Sequence, residues 1–303
     1  MKYLIKSLQN LFSSDNDFFE MARTGKRITH IALAIPLVIV FIIGAGFIAY
    51  LPGQLIKNIE LGETLTEFYE LFVLFGLVIF VVWLWVRFFE KRSFKTIGFI
   101  RKNAFKHYLK GFLSGLLMLT IVIALMTITG NISFSKNPEP ISLNMIGVML
   151  LMLLGYVVQG AGEEVMTRGW QFQVIAARYK PWLGAVISAS IFALLHGLNP
   201  GVSVIAIINL VLFAFLLTFY ILYDKNLWAA CGWHTSWNWA MENIYGLRVS
   251  GSEGLGSVLN LSAEGPNYLT GGDFGPEGSI ITTVVLIAGM LILLIQNAKR
   301  NVK

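Results

Sequence analysis

The sequence predicts an all-α membrane protein, a polytopic helical bundle of about eight transmembrane helices around an intramembrane polar cavity. Three observations lead there. Of 303 residues, 56% are hydrophobic and only 13% charged, with a mean hydropathy of +0.69; a soluble domain would be about one-quarter charged. The apolar stretches are continuous and about 17–25 residues long, as spanning helices require, rather than alternating as barrel strands do. Three polar clusters also interrupt these stretches: Glu163-Glu164-Val165-Met166-Thr167-Arg168, Phe192 to His196, and His234-Thr235-Ser236-Trp237-Asn238. A charge at the bilayer centre costs about 2.5–3.5 kcal/mol on insertion scales, so such residues are rarely incidental.

In chain order, residues 1–30 read as a cytoplasmic lead-in, with an amphipathic patch at Phe18-Phe19-Glu20-Met21 expected on the membrane surface. The first apolar run begins after Arg27, has span length and lacks a small-residue cleavage site, so it is expected to remain as the first helix. Residues 31–142 hold three spans near 31–51, 68–88 and 109–129, with the densest basic stretch, Arg87 to Lys110, read as a solvated loop facing lipid headgroups. Residues 143–247 hold four, near 143–164, 182–198, 203–223 and 227–247. Residues 248–278 form an ordered external loop, rich in turn sequences such as Gly265-Pro266-Asn267-Tyr268. Residues 279–303 supply the last span, 279–297, and a cytoplasmic tail. No internal repeat or soluble domain interrupts this plan.

Charge distribution orients the bundle. The segments 1–30, 87–110, 163–181, 224–226 and 298–303 hold 20 of the 23 Lys and Arg residues, and the alternate segments hold only Lys57, Lys136 and Arg248. The positive-inside rule then predicts a multi-pass protein of the cell membrane with both termini cytoplasmic. The net charge of +6 reflects this orientation and contact with anionic lipid, not nucleic-acid binding. The single cysteine, Cys231, excludes an intramolecular disulfide framework and reads as a small apolar helix residue.

The clusters carry the chemistry. Glu164 and Arg168 are four apart, a spacing at which helical side chains pair. Glu163 projects about 100° away from Glu164, which frees it for other work, such as a general base near neutral pH. The competing reading is a structural ion pair. His234 and Asn238 are also four apart and share a face; an imidazole and a carboxamide there could donate to a developing oxyanion, or merely clasp two helices. Trp233, Trp237 and Trp239 read most simply as packing or interfacial aromatics, and one of them could line a substrate groove. Tyr179-Lys180-Pro181 is the natural turn between the fourth and fifth spans, with Pro suited to a helix start. Glu163 and His196 then lie roughly 24–26 Å along their helices from that turn, and His234 roughly 13 Å from the next one. The three reach one level if the first hairpin, polar at Arg168, Gln171, Gln173 and Arg178, projects about 10 Å into the cytoplasm, and the site is expected to open to that side. The fifth span must break at Gly197-Leu198-Asn199-Pro200-Gly201, which points to a water-accessible cavity.

These motifs, in this order on successive helices, resemble the CAAX protease and bacteriocin-processing (Abi) family of membrane proteases, and the layout is similar to the CAAX prenyl endopeptidase. The pattern Glu-Glu-x-x-x-Arg, Phe-x-x-x-His, His-x-x-x-Asn is matched by Glu163, Glu164 and Arg168; Phe192 and His196; His234 and Asn238. The resemblance covers roughly 143–247. It implies an intramembrane endopeptidase acting on membrane-associated or lipidated peptides, in peptide maturation, bacteriocin processing or immunity. Glu163 would activate a water, Glu164 with Arg168 would support it, His196 would hold the water, and His234 with Asn238 would stabilise the oxyanion. No cofactor is implied. Two alternatives stand beside this one: a zinc peptidase with Glu163, His196 and His234 as ligands, and a non-catalytic scaffold or immunity protein that binds a partner in the same pocket.

Overall fold

Each long apolar run becomes a helix in the computed structural model, which describes residues 2–58, 62–134 and 142–300. Two short helices, α1 (Lys2–Leu11) and α2 (Asp17–Arg23), precede the bundle. Among the described residues, six helices have the length and hydropathy to cross a membrane: α3 (Ile31–Asn58), α4 (Gly62–Phe89), α5 (Ala104–Ile128), α6 (Leu143–Arg178), α8 (Val204–Asp224) and α11 (Ile280–Arg300). Between them sit α7 (Pro181–Leu195) and α9 (Trp228–Trp239), with the one-turn α10 (Asn267–Thr270) before the last helix. The fold is thus the expected helical membrane bundle, but the expected fifth and seventh spans are helices of only 15 and 12 residues.

Both short helices have a local cause. Pro181 opens α7, and the chain turns at His196–Gly201, where Gly201 adopts φ +70°. Helix α9 widens into a π turn at Ala240–Ile244. Every residue of α9 from Ala229 to Asn238 is buried, so other helices rather than lipid surround it. Close approach makes this enclosure: a Cβ on Gly111 would lie 1.9 Å from the Ala229 carbonyl oxygen, and one on Gly232 would lie 2.1 Å from that of Tyr108. Gly111 and Gly115 form a G-x-x-x-G pair, the small-residue pattern that lets membrane helices meet backbone to backbone.

Helix α6 begins at a capped end, where the Ser142 hydroxyl accepts from the Met145 N–H at 3.1 Å. It runs unbroken past its polar cluster through a π-helical stretch, Val165–Phe172, to Arg178. This part of α6 is not a solvated projection. Arg168, Gln171 and Gln173 are fully buried, and Gln173 Nε2 donates to the carbonyls of Phe18 (2.7 Å) and Thr96 (2.8 Å). The Phe18–Phe19 patch, expected on the membrane surface, is instead buried under α6, with both rings against Phe172. The polar end of α6 needs partners away from water, and the lead-in supplies them. Likewise the basic stretch after α4 is not wholly solvated. Glu90 and Arg92 form a buried ion pair at 2.6 Å, and Glu90 also accepts from Thr29 (2.6 Å) and from Trp170 (3.0 Å).

The bundle therefore has two distinct ends. At one, α1 lies along α11 through Ser7 Oγ to the Leu294 carbonyl (2.8 Å), and Arg23 reaches the Ala177 carbonyl near the α6–α7 turn. At the other, β1 (Ile132–Phe134) pairs antiparallel with β2 (Leu261–Ala263), with Ser133 opposite Ser262. There Asn199 Nδ2 donates to the Ser250 carbonyl (2.9 Å), and Asn209 Nδ2 donates to those of Glu277 and Ser279 (both 2.7 Å). Residues 248–278 are thereby fastened across the bundle end opposite the termini. Trp233 and Trp237 stack on each other at 4.6 Å and are buried, in the packing role expected for them. Cys231 is a buried free thiol.

Candidate active site

Helical spacing brings Glu164 and Arg168 together as expected: Arg168 Nη1 donates to Glu164 Oε1 at 3.0 Å, with both side chains fully buried. The same carboxylate oxygen lies 2.9 Å from His234 Nδ1 on α9. A carboxylate only accepts, so Nδ1 carries the hydrogen and, in the neutral ring, Nε2 is an acceptor. The guanidinium of Arg168 rests 4.0 Å above the Phe192 ring, a favourable desolvated cation–π arrangement that compensates for nitrogens without hydrogen bonds.

Glu163 takes a different side of α6. Its Oε1 accepts from Gln159 Nε2 at 2.6 Å, one turn earlier, while its Oε2 is buried without a hydrogen-bond partner among the described residues. That oxygen lies 3.7 Å from His234 Nε2. The His234 ring thus sits between two carboxylates, Glu164 at Nδ1 and Glu163 at Nε2. Asn238 faces the same space and donates from Nδ2 to Gln159 Oε1 at 3.1 Å. Gln159 is therefore a bridge from Asn238 to Glu163. Close approach of α6 to α9 makes this geometry available, since a Cβ on Gly160 would lie 3.1 Å from the Thr235 nitrogen.

His196, just past the end of α7, turns Nδ1 to the Phe192 carbonyl oxygen at 2.8 Å. That carbonyl requires a donor, so the neutral ring again presents Nε2 as an acceptor. Phe192 and Phe213 stack at 5.6 Å and wall the two imidazoles, Phe192 lying 4.7 Å from His196 and Phe213 lying 5.0 Å from His234.

Glu163, His196, His234 and Asn238 line one cavity of about 890 Å³, whereas Glu164 and Arg168 stand behind its wall. The break after α7 does border a cavity, since Asn199 lines it too. Its direction differs from expectation. The expected opening lay toward the end that holds the termini. The lining instead continues to the exposed Gly62 and Glu63 at the start of α4 and to Ser252 and Glu253 in the 248–278 segment. Helical rise fixed the level of the catalytic candidates, but the gap between helices lies on their other side. The lead-in and the 90–103 segment close the terminal end.

Sequence reasoning singled out neither Gln159 nor Phe213. Gln159 had a signal, standing four residues before Glu163 as Thr167 stands four after it, and the Thr167 hydroxyl donates to the Glu163 carbonyl at 2.5 Å. Phe213 had none within an apolar run. The geometry also bears on the His234 role and on the zinc alternative. A neutral His234 held by Glu164 has no hydrogen at Nε2 to give an oxyanion; only the doubly protonated ring does. For the zinc alternative, no group of three His, Cys, Asp or Glu side chains among the described residues converges as metal ligands would.

Fold and site together define a polytopic helical membrane protein with a carboxylate–imidazole centre in a buried cavity. Residues 145–240 match the model of the Rce1-like family, described as type II CAAX prenyl endopeptidase Rce1-like, a family of membrane proteases. All seven motif residues lie within the matched segment, so the resemblance read from the motifs holds over that core. No curated protein and no solved structure matches the chain.

Proposed function

We propose that the protein is an intramembrane endopeptidase that hydrolyses a membrane-associated or lipidated peptide with a water activated by Glu163. One observation carries this reading: Glu163 Oε2 has no hydrogen-bond partner among the described residues and faces His234 Nε2 at 3.7 Å inside the cavity. Two acceptors at that separation can take the two hydrogens of one water and aim its lone pair. Glu163 removes a proton as the water oxygen attacks the peptide carbonyl carbon. The carbon–nitrogen bond then breaks, and the proton passes to the departing amine.

The remaining groups have supporting parts. Glu164, fixed by Arg168, holds the His234 ring in one tautomer. Asn238 has a second amide hydrogen to offer the oxyanion, and such a donor is worth about 2.7–4 kcal/mol. His196 presents Nε2 to the same cavity as an alternative acceptor for one of those two hydrogens. Apolar wall residues such as Leu71, Leu74 and Phe75 suit a substrate that arrives with lipid-facing or lipidated parts. By the positive-inside rule both termini are cytoplasmic in the cell membrane, so the cavity opens on the outer side.

The test compares membrane peptides of wild-type and Glu163→Gln cells. Glutamine keeps shape and hydrogen bonding but cannot act as a base. A product lost only in the variant supports the proposal and identifies a substrate. A fully retained phenotype would favour a scaffold or immunity role for the same pocket.

A further inference from the structure

Resting on the peptidase reading above, we infer that the substrate segment enters from the bundle end opposite the termini and is basic, presenting Lys or Arg to an acidic cavity mouth. Six acidic side chains line the cavity, those of Glu63, Glu67, Glu70, Glu163, Glu253 and Glu277, and no Lys or Arg among the described residues does. Glu63 and Glu70, on α4, are exposed and have no salt-bridge partner among the described residues. On the facing rim, Arg248 is already committed to Glu253 and Asp273. Glu277 accepts from the neutral donors Trp237 Nε1 (3.1 Å) and Ser250 N (2.8 Å) and has no cation beside it among the described residues.

The cavity is built to receive something at its inner end. The His234 side chain is only 4% exposed and lines it, with Nε2 free of any hydrogen bond among the described residues. Buried polar atoms are ordinarily satisfied, so Glu163 Oε2, buried without a hydrogen-bond partner among the described residues and 3.7 Å from that nitrogen, marks a ligand position. From that inner end the lining leads past apolar Leu74, Leu71 and Val249 to the acidic mouth. A chain threading it meets carboxylates first, then an apolar passage, then Glu163. A cleft lined by one sign of charge between low-dielectric walls concentrates the opposite charge and raises its on-rate by about 10–10³-fold. The peptide that fits has basic residues flanking an apolar stretch.

Thiol labelling tests entry and charge without any need for turnover. Thr66 and Ser252 line opposite parts of the mouth, and the only native thiol, Cys231, is buried. In a Cys231→Ala background, Thr66→Cys and Ser252→Cys are treated in intact cells with two membrane-impermeant thiosulfonates, one bearing trimethylammonium and one sulfonate. After correction for their rates with a free thiol, the cationic reagent is expected to react about tenfold faster. Adding Glu63→Gln and Glu70→Gln, each at an exposed position, moves that ratio toward one. Labelling only after the membrane is permeabilised overturns the entry face, and a ratio at or below one overturns the charge preference. In parallel, the peptides whose cleavage is lost in Glu163→Gln cells should carry Lys or Arg beside an apolar stretch; neutral or acidic peptides overturn the inference. An unchanged peptide set contradicts the peptidase reading, while the thiol rates still decide entry and charge by themselves.

Discussion

Glu164 Oε1 accepts from both Arg168 Nη1 and His234 Nδ1, at 3.0 and 2.9 Å, and so joins the matched family core into one rigid unit across α6 and α9. Fixing the His234 tautomer in this way decides what its other nitrogen can do. The ion pair that sequence spacing predicts is therefore also the device that orients the imidazole.

Glu164→Gln should be strongly destabilising, because it strands a fully buried guanidinium. Breaking a buried pair on one side costs about 3–5 kcal/mol, whereas replacing both partners by apolar groups is often neutral. Thermal unfolding in detergent should show Glu164→Gln well below wild type, with Glu164→Leu/Arg168→Met recovering much of the loss. Hydrolysis should remain lost in both variants.

Gln159→Leu should leave the fold intact and slow hydrolysis. Gln159 ties Asn238 to Glu163 Oε1, and releasing both lets the proposed base and the proposed oxyanion donor drift by about an ångström. A shift of that size costs up to about a hundredfold in rate. With the peptide identified from cells, kcat should fall while KM stays near wild type; a change confined to KM would argue against a positioning role.

Gly232→Val should prevent assembly of the bundle, since even its Cβ would meet the Tyr108 carbonyl oxygen at 2.1 Å, a backbone contact that cannot move aside. Cys231→Ala, one residue earlier, should be tolerated. Size-exclusion profiles in detergent separate the two outcomes.

Chelators should leave cleavage unchanged, and purified protein should contain no stoichiometric zinc. Zinc whose removal abolishes cleavage, and whose return restores it, would replace the water-activation scheme by a metal-based one.

Much of this was legible in the chain. Four-residue spacings place Glu164 with Arg168 and Asn238 beside His234, because a helix repeats every 3.6 residues. The Tyr179-Lys180-Pro181 turn and the break after His196 fall where Pro and Gly dictate. The two short helices were harder to read, since apolar sequence alone does not distinguish a helix facing lipid from one enclosed by other helices, as α9 is. Burial of Phe18 and Phe19 was hidden for a related reason. Their partners Phe172 and Gln173 lie on a part of α6 that is polar enough to pass for solvated. The direction of the cavity mouth depends on gaps between non-adjacent helices, which no local pattern encodes.

The central claim is that Glu163 activates the attacking water. Wild-type and Glu163→Gln protein, reconstituted in liposomes with the identified peptide in ¹⁸O-labelled water, test it most directly. The account predicts one ¹⁸O in the new carboxylate from wild type and a rate about 10²–10⁴-fold lower for Glu163→Gln, the usual contribution of a general base. Hydrolysis by Glu163→Gln at the wild-type rate would contradict it.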